Sequence, residues 1–392
     1  MSWALTLLMS QFALGGRLAP STSTIGVMVL AWWSFLAGCI AVLVRWGGRA
    51  NSSGLRGIPL RLGRVALASL IALQIAATWL DLRLIFVSGV LPTSAEDWAT
   101  MRIAGDLSGE EPIQFPLGLF RFASVLYMPL SLALHAQGSL PGIGVFIAMA
   151  CAILCGAARF TRAPIMQVLI VSITSWILIA KPRPRNVLRL IAVGAAVFGF
   201  AFLSSQDTLI SADAHATSNT NEAVWVYFAA SPKALGALLS NPALFDEKGW
   251  YSLDFVNVFL AKLGLIHAYP NLVRPTVEVP LITNVFTFLD AYFADGGMIG
   301  VLLGSFVTGA FVSAVYTWVM ERGTLAGLIT YAYLLYCCVM APANNEFIRA
   351  AVPITIGLAL ILDRALRTFS ERARVSKLTD SPSEQGLRLH GL

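Results

Sequence analysis

The sequence predicts an all-α polytopic integral membrane protein with about 10 transmembrane helices (about 10–12) and one large outer loop. Of its 392 residues, 57% are hydrophobic and only 12% are charged, about half the charged share of a typical soluble domain. Apolar runs of roughly 17–25 residues, the length of a membrane span, recur from one end of the chain to the other. These runs are continuous rather than alternating. They therefore exclude a soluble enzyme with a single anchor and argue against an outer-membrane barrel.

Charged or polar segments separate the apolar runs into individual spans. The predicted spans are 2–14, 23–44, 65–88, 116–135, 142–158, 164–180, 187–204, 297–319, 324–341 and 349–363. The first of these is shorter than a membrane-crossing helix requires. An interfacial position for residues 1–15, or re-entry of part of the large loop into the bilayer, would change the count by about two.

The charges between the spans predict the orientation. Segment 45–64 holds five arginines and no acidic residue, and segment 181–189 holds four basic residues and no acidic one. The positive-inside rule assigns both segments, together with Arg322 and the basic tail, to the cytoplasm. Segment 90–115 holds five acidic residues against one arginine and belongs outside. The net charge of +6 therefore reflects orientation, and we expect no nucleic-acid partner.

This orientation divides the chain into four parts. They are about seven N-terminal transmembrane helices over 1–204, a large outer loop over 205–296, about three C-terminal transmembrane helices over 297–366 and a disordered cytoplasmic tail over 367–392. Within the loop, YSLDFVNVFLAKLGLI (251–266) has apolar residues at roughly helical spacing. That spacing predicts an amphipathic helix lying on the outer leaflet or under the spans.

Two arginines oppose the positive-inside rule. Arg159 and Arg162 occupy a short turn that the predicted orientation assigns to the outer side. Three interpretations remain open: the orientation is wrong there, the arginines meet lipid phosphates, or they bind an anionic substrate. A guanidinium group matches phosphate with two parallel hydrogen bonds and keeps its charge. Arg121 and Arg349 would add to such a pocket, although Arg121 is equally suited to an ion pair with Asp81.

The chain offers no motif of a soluble enzyme or of a cofactor site. It contains no GxGxxG after a strand, no GxxxxGK[ST], no HExxH and no GxSxG. Its five cysteines all lie in apolar runs, where they act as small hydrophobic residues. We therefore expect neither a metal nor a cofactor.

One run in the chain resembles a known family. Residues 280–309, PLITNVFTFLDAYFADGGMIGVLLGSFVTG, are similar to the end of the long outer loop in the Wzy-type oligosaccharide repeat-unit polymerases. The positions that match the pattern of that family are Pro280, Asn284, Thr287, Tyr292, Asp295, Gly297 and Gly300. Gly296 departs from the pattern, because the family more often has an aromatic residue there. The turn at 159–165 also resembles the arginine-bearing outer turn of the family, and elsewhere the likeness rests on topology.

The resemblance implies a fold, a reaction and partners. The fold would be similar to the C-type integral-membrane glycosyltransferases, with the large loop in the periplasm of a bacterium. The protein would polymerise repeat units of O-antigen, capsule or exopolysaccharide at the periplasmic face of the inner membrane. It would transfer the growing glycan from undecaprenyl diphosphate to a sugar hydroxyl of the incoming lipid-linked unit. Its partners would be that lipid-linked oligosaccharide, membrane lipid, a flippase and a chain-length regulator, and no cofactor is implied.

The candidate site residues follow from this implied chemistry. Negative charge grows on the diphosphate as the glycosidic bond breaks, and fixed cations would stabilise it. The substrate-binding candidates are Arg159, Arg162, Arg121, Arg274 and Arg349, with Asn284 and Tyr292 beside them. The attacking hydroxyl needs a proton acceptor. The catalytic candidates for that role are Asp295, Glu278 and Glu346, with His267 behind them.

Several of these candidates have a structural interpretation as well. Asp295 is suited to capping the helix of the eighth predicted span, and Glu346 to being a solvated loop residue. His267 is more often structural in such a position. Tyr292 would either stack on a sugar ring or anchor the chain at the membrane interface.

Two other functions remain open at this point. An O-antigen ligase would share the topology and chemistry and differ only in its acceptor. A flippase or other transporter of lipid-linked oligosaccharides would carry midplane charges or broken helices in paired positions, and the two halves of this chain show no evident inverted repeat.

Overall fold

The structure is a computed structural model, and the part of the chain that it describes is largely helical. The described residues are 2–12, 16–46, 58–87, 117–158, 162–189, 191–192, 194, 229–242, 251–265, 277–278, 282–283, 287–342, 345–349 and 351–379. The helices are α1 (Ser2–Phe12), α2 (Thr22–Trp46), α3 (Leu60–Val87), α4 (Ser124–Ala136), α5 (Gly142–Ala157), α6 (Arg162–Ala180), α7 (Ser231–Ser240), α8 (Asp254–Lys262), α9 (Leu289–Arg322), α10 (Leu325–Met340) and α11 (Ala351–Thr379). Short 3-10 helices are Leu117–Phe122, Tyr251–Leu253 and Glu346–Ile348, and the strands β1 (Val277–Glu278) and β2 (Ile282–Thr283) pair antiparallel.

Three described helices are long and apolar enough to cross a membrane. They are α2, α9 and the stretch Leu60–Leu80 of α3. The helices α4, α5 and α10 and the stretch Pro164–Ala180 are shorter but also apolar. The prediction of a helical membrane protein is therefore confirmed at this level. The number of spans and their orientation stay predictions.

The main core lies where α3, α4, α6 and α10 meet. Its largest fully buried side chains include Tyr127 and Tyr333. A buried tyrosine needs a partner for its hydroxyl, and that of Tyr127 donates to the side-chain oxygen of Gln74 at 2.6 Å. This polar link joins α4 to α3 inside an otherwise apolar core.

The helices α2 and α9 approach each other at glycines. A Cβ atom on Gly38 would overlap the carbonyl oxygen of Phe306, and one on Gly309 would overlap that of Phe35. Helices in lipid gain little from the hydrophobic effect when they associate, so small residues that permit close packing supply much of the attraction. The helices α2 and α9 therefore pack closely against each other at these two glycines.

Hydrogen bonds show that α2 and α9 run in the same direction. The hydroxyl of Ser34 donates to the carbonyl of Leu302 at 2.7 Å, and that of Ser313 donates to the carbonyl of Cys39 at 3.2 Å. The partner in α9 advances as the residue in α2 advances, so the two helices are parallel. Their last turns, with Arg45 and Arg322, therefore lie at the same end of the pair.

The start of α10 and the middle of α11 meet at this same end. The chain turns from α9 into α10 at Gly323, which has a φ of 56°. The backbone N–H of Leu325 donates to the carboxylate of Asp363 at 3.2 Å, and Arg367 pairs with that carboxylate at 3.0 Å. We call this the basic end, defined by Arg45, Arg322 and Arg367.

The last helix extends further than the sequence suggested. Residues 367–379, for which we predicted a disordered tail, continue α11. Seven of its 13 residues are arginine, leucine, glutamate, alanine or lysine, which are good helix formers, and the pair Asp363–Arg367 adds support at the i, i+4 spacing. The remainder of the predicted tail, 380–392, lies outside the described residues.

The predicted outer loop contributes two helices, α7 and α8. Leu235 and Leu238 of α7 are fully buried. A Cβ on Gly236 would come within 2.7 Å of the Thr24 hydroxyl, so α7 packs closely on the first turn of α2. The helix α8 falls within the segment 251–266 in which we expected an amphipathic helix.

Candidate functional site

The long helix α9 is broken near its start. The backbone leaves helical geometry at Gly296 (φ −144°, ψ 16°) and Gly297 (φ 56°, ψ −143°). The Tyr292 hydroxyl lies 2.9 Å from that of Thr308, although 16 residues separate them in sequence. A straight helix with a rise of 1.5 Å per residue would put these residues about 24 Å apart. The residues 289–295, which we call the half-helix, therefore fold back along the rest of α9.

Small residues make room for this fold-back. A Cβ on Gly300 would overlap the carbonyl oxygen of Tyr292, and one on Gly304 would lie 2.6 Å from the Tyr292 ring. Gly300, Gly304 and Thr308 recur every four residues and so lie on one face of the helix. The ring of Tyr292 occupies that face, and its hydroxyl reaches Thr308. Tyr292 is therefore fixed by packing and by a hydrogen bond at the same time.

Gly297→Ala is expected to disrupt the half-helix. No other atom lies within 4 Å of the added Cβ, so the effect would come from the positive φ alone, which L residues adopt at a cost of about 1–3 kcal/mol. Gly296→Ala is the matched control, because its site is equally open and its φ is negative. Thermal unfolding of the two purified variants should show a lower melting temperature for Gly297→Ala alone. Equal melting temperatures would contradict the strained turn.

Asp295 binds the loop instead of capping the helix that follows it. Its carboxylate accepts the backbone N–H of Tyr251 at 2.8 Å and that of Ser252 at 2.7 Å. It also accepts the Ser252 hydroxyl at 2.5 Å. A carboxylate at the N-terminus of a helical segment satisfies backbone N–H groups that have no helical partner. Asp295 therefore caps the 3-10 turn that leads into α8, and three of its roughly four acceptor positions are occupied.

Asp295→Ala is expected to release the start of α8. Removal of the exposed carboxylate removes all three hydrogen bonds to the turn. Ser252→Ala removes only one of the three and serves as the graded control. Trypsin cleavage at Lys262 in reconstituted protein reports the release. It should be several-fold faster in Asp295→Ala and only slightly faster in Ser252→Ala. The assignment fails if both variants are cleaved at the wild-type rate.

The connection between α10 and α11 packs on the half-helix. The N–H of Phe288 donates to the carbonyl of Ala341 at 2.8 Å, and the Asn345 side-chain amide donates to the carbonyl of Phe288 at 2.7 Å. The rings of Phe288 and Phe347 lie 6.4 Å apart. The described residues of this connection, 341–342 and 345–349, therefore form a wall beside the half-helix.

Glu346 belongs to this wall and is buried. It is only 6% exposed, so the interpretation as a solvated loop residue is incorrect. Arg349, whose side chain is half exposed, lies with its Nε atom 3.5 Å from the Glu346 carboxylate. The turn that holds Glu346 also contacts the turn Tyr251–Leu253, which Asp295 caps. The structure thus brings Tyr292, Asp295, Glu346 and Arg349 together around the break in α9.

The other predicted arginine with a described side chain, Arg121, packs elsewhere. It lies in the 3-10 helix Leu117–Phe122, and its carbonyl accepts the side-chain amide of Gln74 in α3 at 3.2 Å. The alternative ion pair with Asp81 stays a prediction, because that side chain lies outside the described part of the chain.

The remaining candidates are only partly described or not described. Arg162 is the first residue of α6 and Glu278 lies in β1, but nothing is described of either side chain. Arg159, His267, Arg274 and Asn284 lie outside the described residues. The arginine pocket for a diphosphate therefore stays a prediction. Within the described ranges, no three histidine, cysteine or acidic side chains are grouped so as to hold a metal ion.

Sequence reasoning missed the groups that position this site. Ser252, Thr308 and Asn345 were not singled out, yet each bonds to the half-helix or to the residues beside it. The sequence does carry a signal for the fold-back, namely the Gly296–Gly297 pair followed by small residues at every fourth position. No family model, no curated protein and no solved structure matches this chain.

Proposed function

We propose that this protein is a bacterial inner-membrane polymerase of lipid-linked oligosaccharide repeat units. It transfers the growing glycan from undecaprenyl diphosphate to a sugar hydroxyl of the incoming lipid-linked unit, at the periplasmic face. The observation that carries the proposal is the broken helix within the run that resembles the Wzy-type polymerases. In that run Tyr292, Asp295, Gly297 and Gly300 each have a separate part in one folded structure.

The position of the half-helix supports the proposed orientation. The half-helix lies at the start of α9, and the basic end, with Arg322, lies at the other end of the same helix. Basic residues are retained on the cytoplasmic side of a membrane. The half-helix and Glu346 would then face the periplasm, where lipid-linked repeat units are polymerised.

The chemistry needs a base and a site for a departing diphosphate. The acceptor hydroxyl attacks the anomeric carbon of the donor, the bond from that carbon to the diphosphate oxygen breaks, and the hydroxyl proton passes to a carboxylate. Glu346 is suited to take that proton because it is buried, whereas Asp295 is exposed and accepts three hydrogen bonds from the loop. Arginines would stabilise the leaving diphosphate, as a metal does elsewhere.

Arg159→Ala and Arg162→Ala are expected to abolish polymer while the protein still accumulates in the membrane. A guanidinium fork binds phosphate with two hydrogen bonds and a lysine cannot, so Arg159→Lys should restore little activity. Gel analysis of the glycan, alongside an immunoblot of membranes, measures both outcomes. Full-length polymer in both alanine variants would exclude the arginine pocket without excluding the polymerase.

Deletion of the protein in its native bacterium, followed by gel analysis of lipopolysaccharide or capsule, tests the proposed function. A polymerase mutant would leave the lipid core with one repeat unit. A ligase mutant would leave no O-antigen on the core. Repeat units that accumulate on the cytoplasmic leaflet would exclude both enzymes.

A transporter of lipid-linked oligosaccharides is the second candidate. The break at Gly296–Gly297 favours it, because discontinuous helices often form the substrate site of transporters. Such folds pair the broken helices of two repeats, and in the described residues α9 is the one helix with an interior break of this kind. Purified protein in proteoliposomes separates the two candidates. A polymerase lengthens the glycan of lipid-linked units, whereas a transporter moves those units across the bilayer unchanged.

A further inference from the structure

The helix α8 carries an apolar stripe that the described residues leave largely exposed. Phe255, Phe259 and Leu263 are spaced by four residues and therefore share one face. Phe255, nearest the end that Asp295 holds, is partly buried, whereas Phe259 is 61% exposed and Leu263 is 57% exposed. Leu265, just beyond the helix, is 67% exposed. The stripe is thus partly buried at Phe255 and exposed at the three positions beyond it.

This arrangement is the reverse of a helix on the surface of a soluble protein. Such a helix turns its apolar face to the core and its polar face to water. Here Asp254, a charged residue, is buried at 4% exposure, whereas Phe259 and Leu263 are mostly exposed. A contiguous apolar surface of this kind marks a contact with a partner or with lipid.

The location of α8 favours lipid as the occupant. The 3-10 turn that leads into α8 is bonded to Asp295, directly before the break where the membrane-crossing part of α9 begins. That part exposes Ile299 at 77% and Leu303 at 62%, as expected of residues that face hydrocarbon. Phe259 follows Ser252 by seven residues, about 10 Å of helix. The exposed part of the stripe therefore starts about 10 Å of helix from the turn that Asp295 holds, next to the start of the exposed apolar face of α9.

We propose that α8, together with the residues up to Leu265, lies in the membrane interface with Phe259, Leu263 and Leu265 inserted into the lipid. Asp295 holds the 3-10 turn that precedes α8 and the bilayer holds its apolar face, so α8 lies along the membrane surface. Of the two locations that the sequence allowed, on the leaflet or under the spans, the exposed stripe selects the leaflet. The turn Tyr251–Leu253 contacts the turn that holds Glu346. Asp295 on one side of that turn and the membrane-bound α8 on the other would both keep it there. The proposal does not depend on the enzymatic function.

Spin labels on single cysteines test this placement in the full-length protein. The five native cysteines are replaced by alanine, and Phe259→Cys, Leu263→Cys and Leu265→Cys are labelled separately in nanodiscs. Collision with oxygen reports lipid, and collision with a water-soluble nickel chelate reports water. Leu303→Cys in α9 is the lipid control, and Glu371→Cys, in the part of α11 beyond the basic end, is the water control.

All three labels should resemble Leu303→Cys, with frequent oxygen collisions and rare nickel collisions. Nickel collisions as frequent as at Glu371→Cys would overturn the proposal, because the stripe would face water. Rare collisions with both reagents would also overturn it, because another protein segment or a second copy of the chain would then cover the stripe. Only variants that elute as the wild type does on size exclusion are scored, and three independent positions guard against the loss of any one.

Discussion

Gly38→Ala is expected to push α2 away from α9 and to lower the free energy of unfolding by about 3 kcal/mol. The added Cβ would overlap the carbonyl oxygen of Phe306 and would lie 2.9 Å from the backbone nitrogen of Ala310. Backbone atoms of a helix cannot turn aside as the tip of a side chain can, so the whole helix must shift. The shift would also stretch the bond from Ser34 to Leu302. Heating the purified protein and measuring the folded fraction by size exclusion gives the change in stability.

Gly26→Ala provides the matched control within the same helix. An added Cβ there meets no atom within 4 Å, and alanine favours a helix interior over glycine by up to about 1 kcal/mol. Gly26→Ala should therefore leave stability unchanged or raise it. Gly309→Ala, on the other side of the contact, should act like Gly38→Ala, because its Cβ would overlap the carbonyl of Phe35. If Gly38→Ala behaves like Gly26→Ala, the close crossing is wrong.

Helices could be predicted most closely from the sequence where the length of an apolar run alone decides the structure. The predicted span 23–44 corresponds to α2, Thr22–Trp46, and the predicted span 324–341 corresponds to α10, Leu325–Met340. In both cases an apolar run has charged or polar residues at each end, so the local sequence is enough to predict the helix. Burial of Tyr127 against Gln74 could not be read in this way, because the two residues are 53 positions apart.

The start of α9 shows where local patterns fail. We predicted that the outer loop extends to residue 296, yet the chain is already helical from Leu289. That half-helix is stable because Tyr292 packs on Gly304 and Asp295 bonds to residues more than 40 positions upstream. Such contacts depend on tertiary structure, and a composition pattern cannot supply them. The motif residues Tyr292, Asp295, Gly297 and Gly300 all lie in the fold-back, but the contact of Asp295 with the loop was not evident from its neighbours.

Glu346→Gln is expected to lower the rate of glycan transfer by about 10²- to 10⁴-fold, the usual contribution of a general base. Of the two candidate carboxylates with described side chains, we propose Glu346 as the base, because it is buried and Asp295 already accepts three hydrogen bonds from the loop. Glutamine keeps the size of the side chain and removes its ability to take a proton. The rate is measured with purified protein and a lipid-linked repeat unit in proteoliposomes. Glu346→Asp, which keeps a carboxylate, should recover part of the activity.

The loss of transfer activity expected in Glu346→Gln must be separated from a loss of stability, since Glu346 is buried and pairs with Arg349. The melting temperature of Glu346→Gln should therefore stay near that of Arg349→Gln, which breaks the same ion pair from its exposed side. Glu321→Gln is the control for loss of an acidic group from α9, at the basic end beside Arg322, and should retain full activity. A transfer rate in Glu346→Gln equal to that of the wild type would exclude Glu346 as the base. Among the carboxylates with described side chains, Asp295 would then take its place, with the cap on the Tyr251–Leu253 turn opening during the reaction.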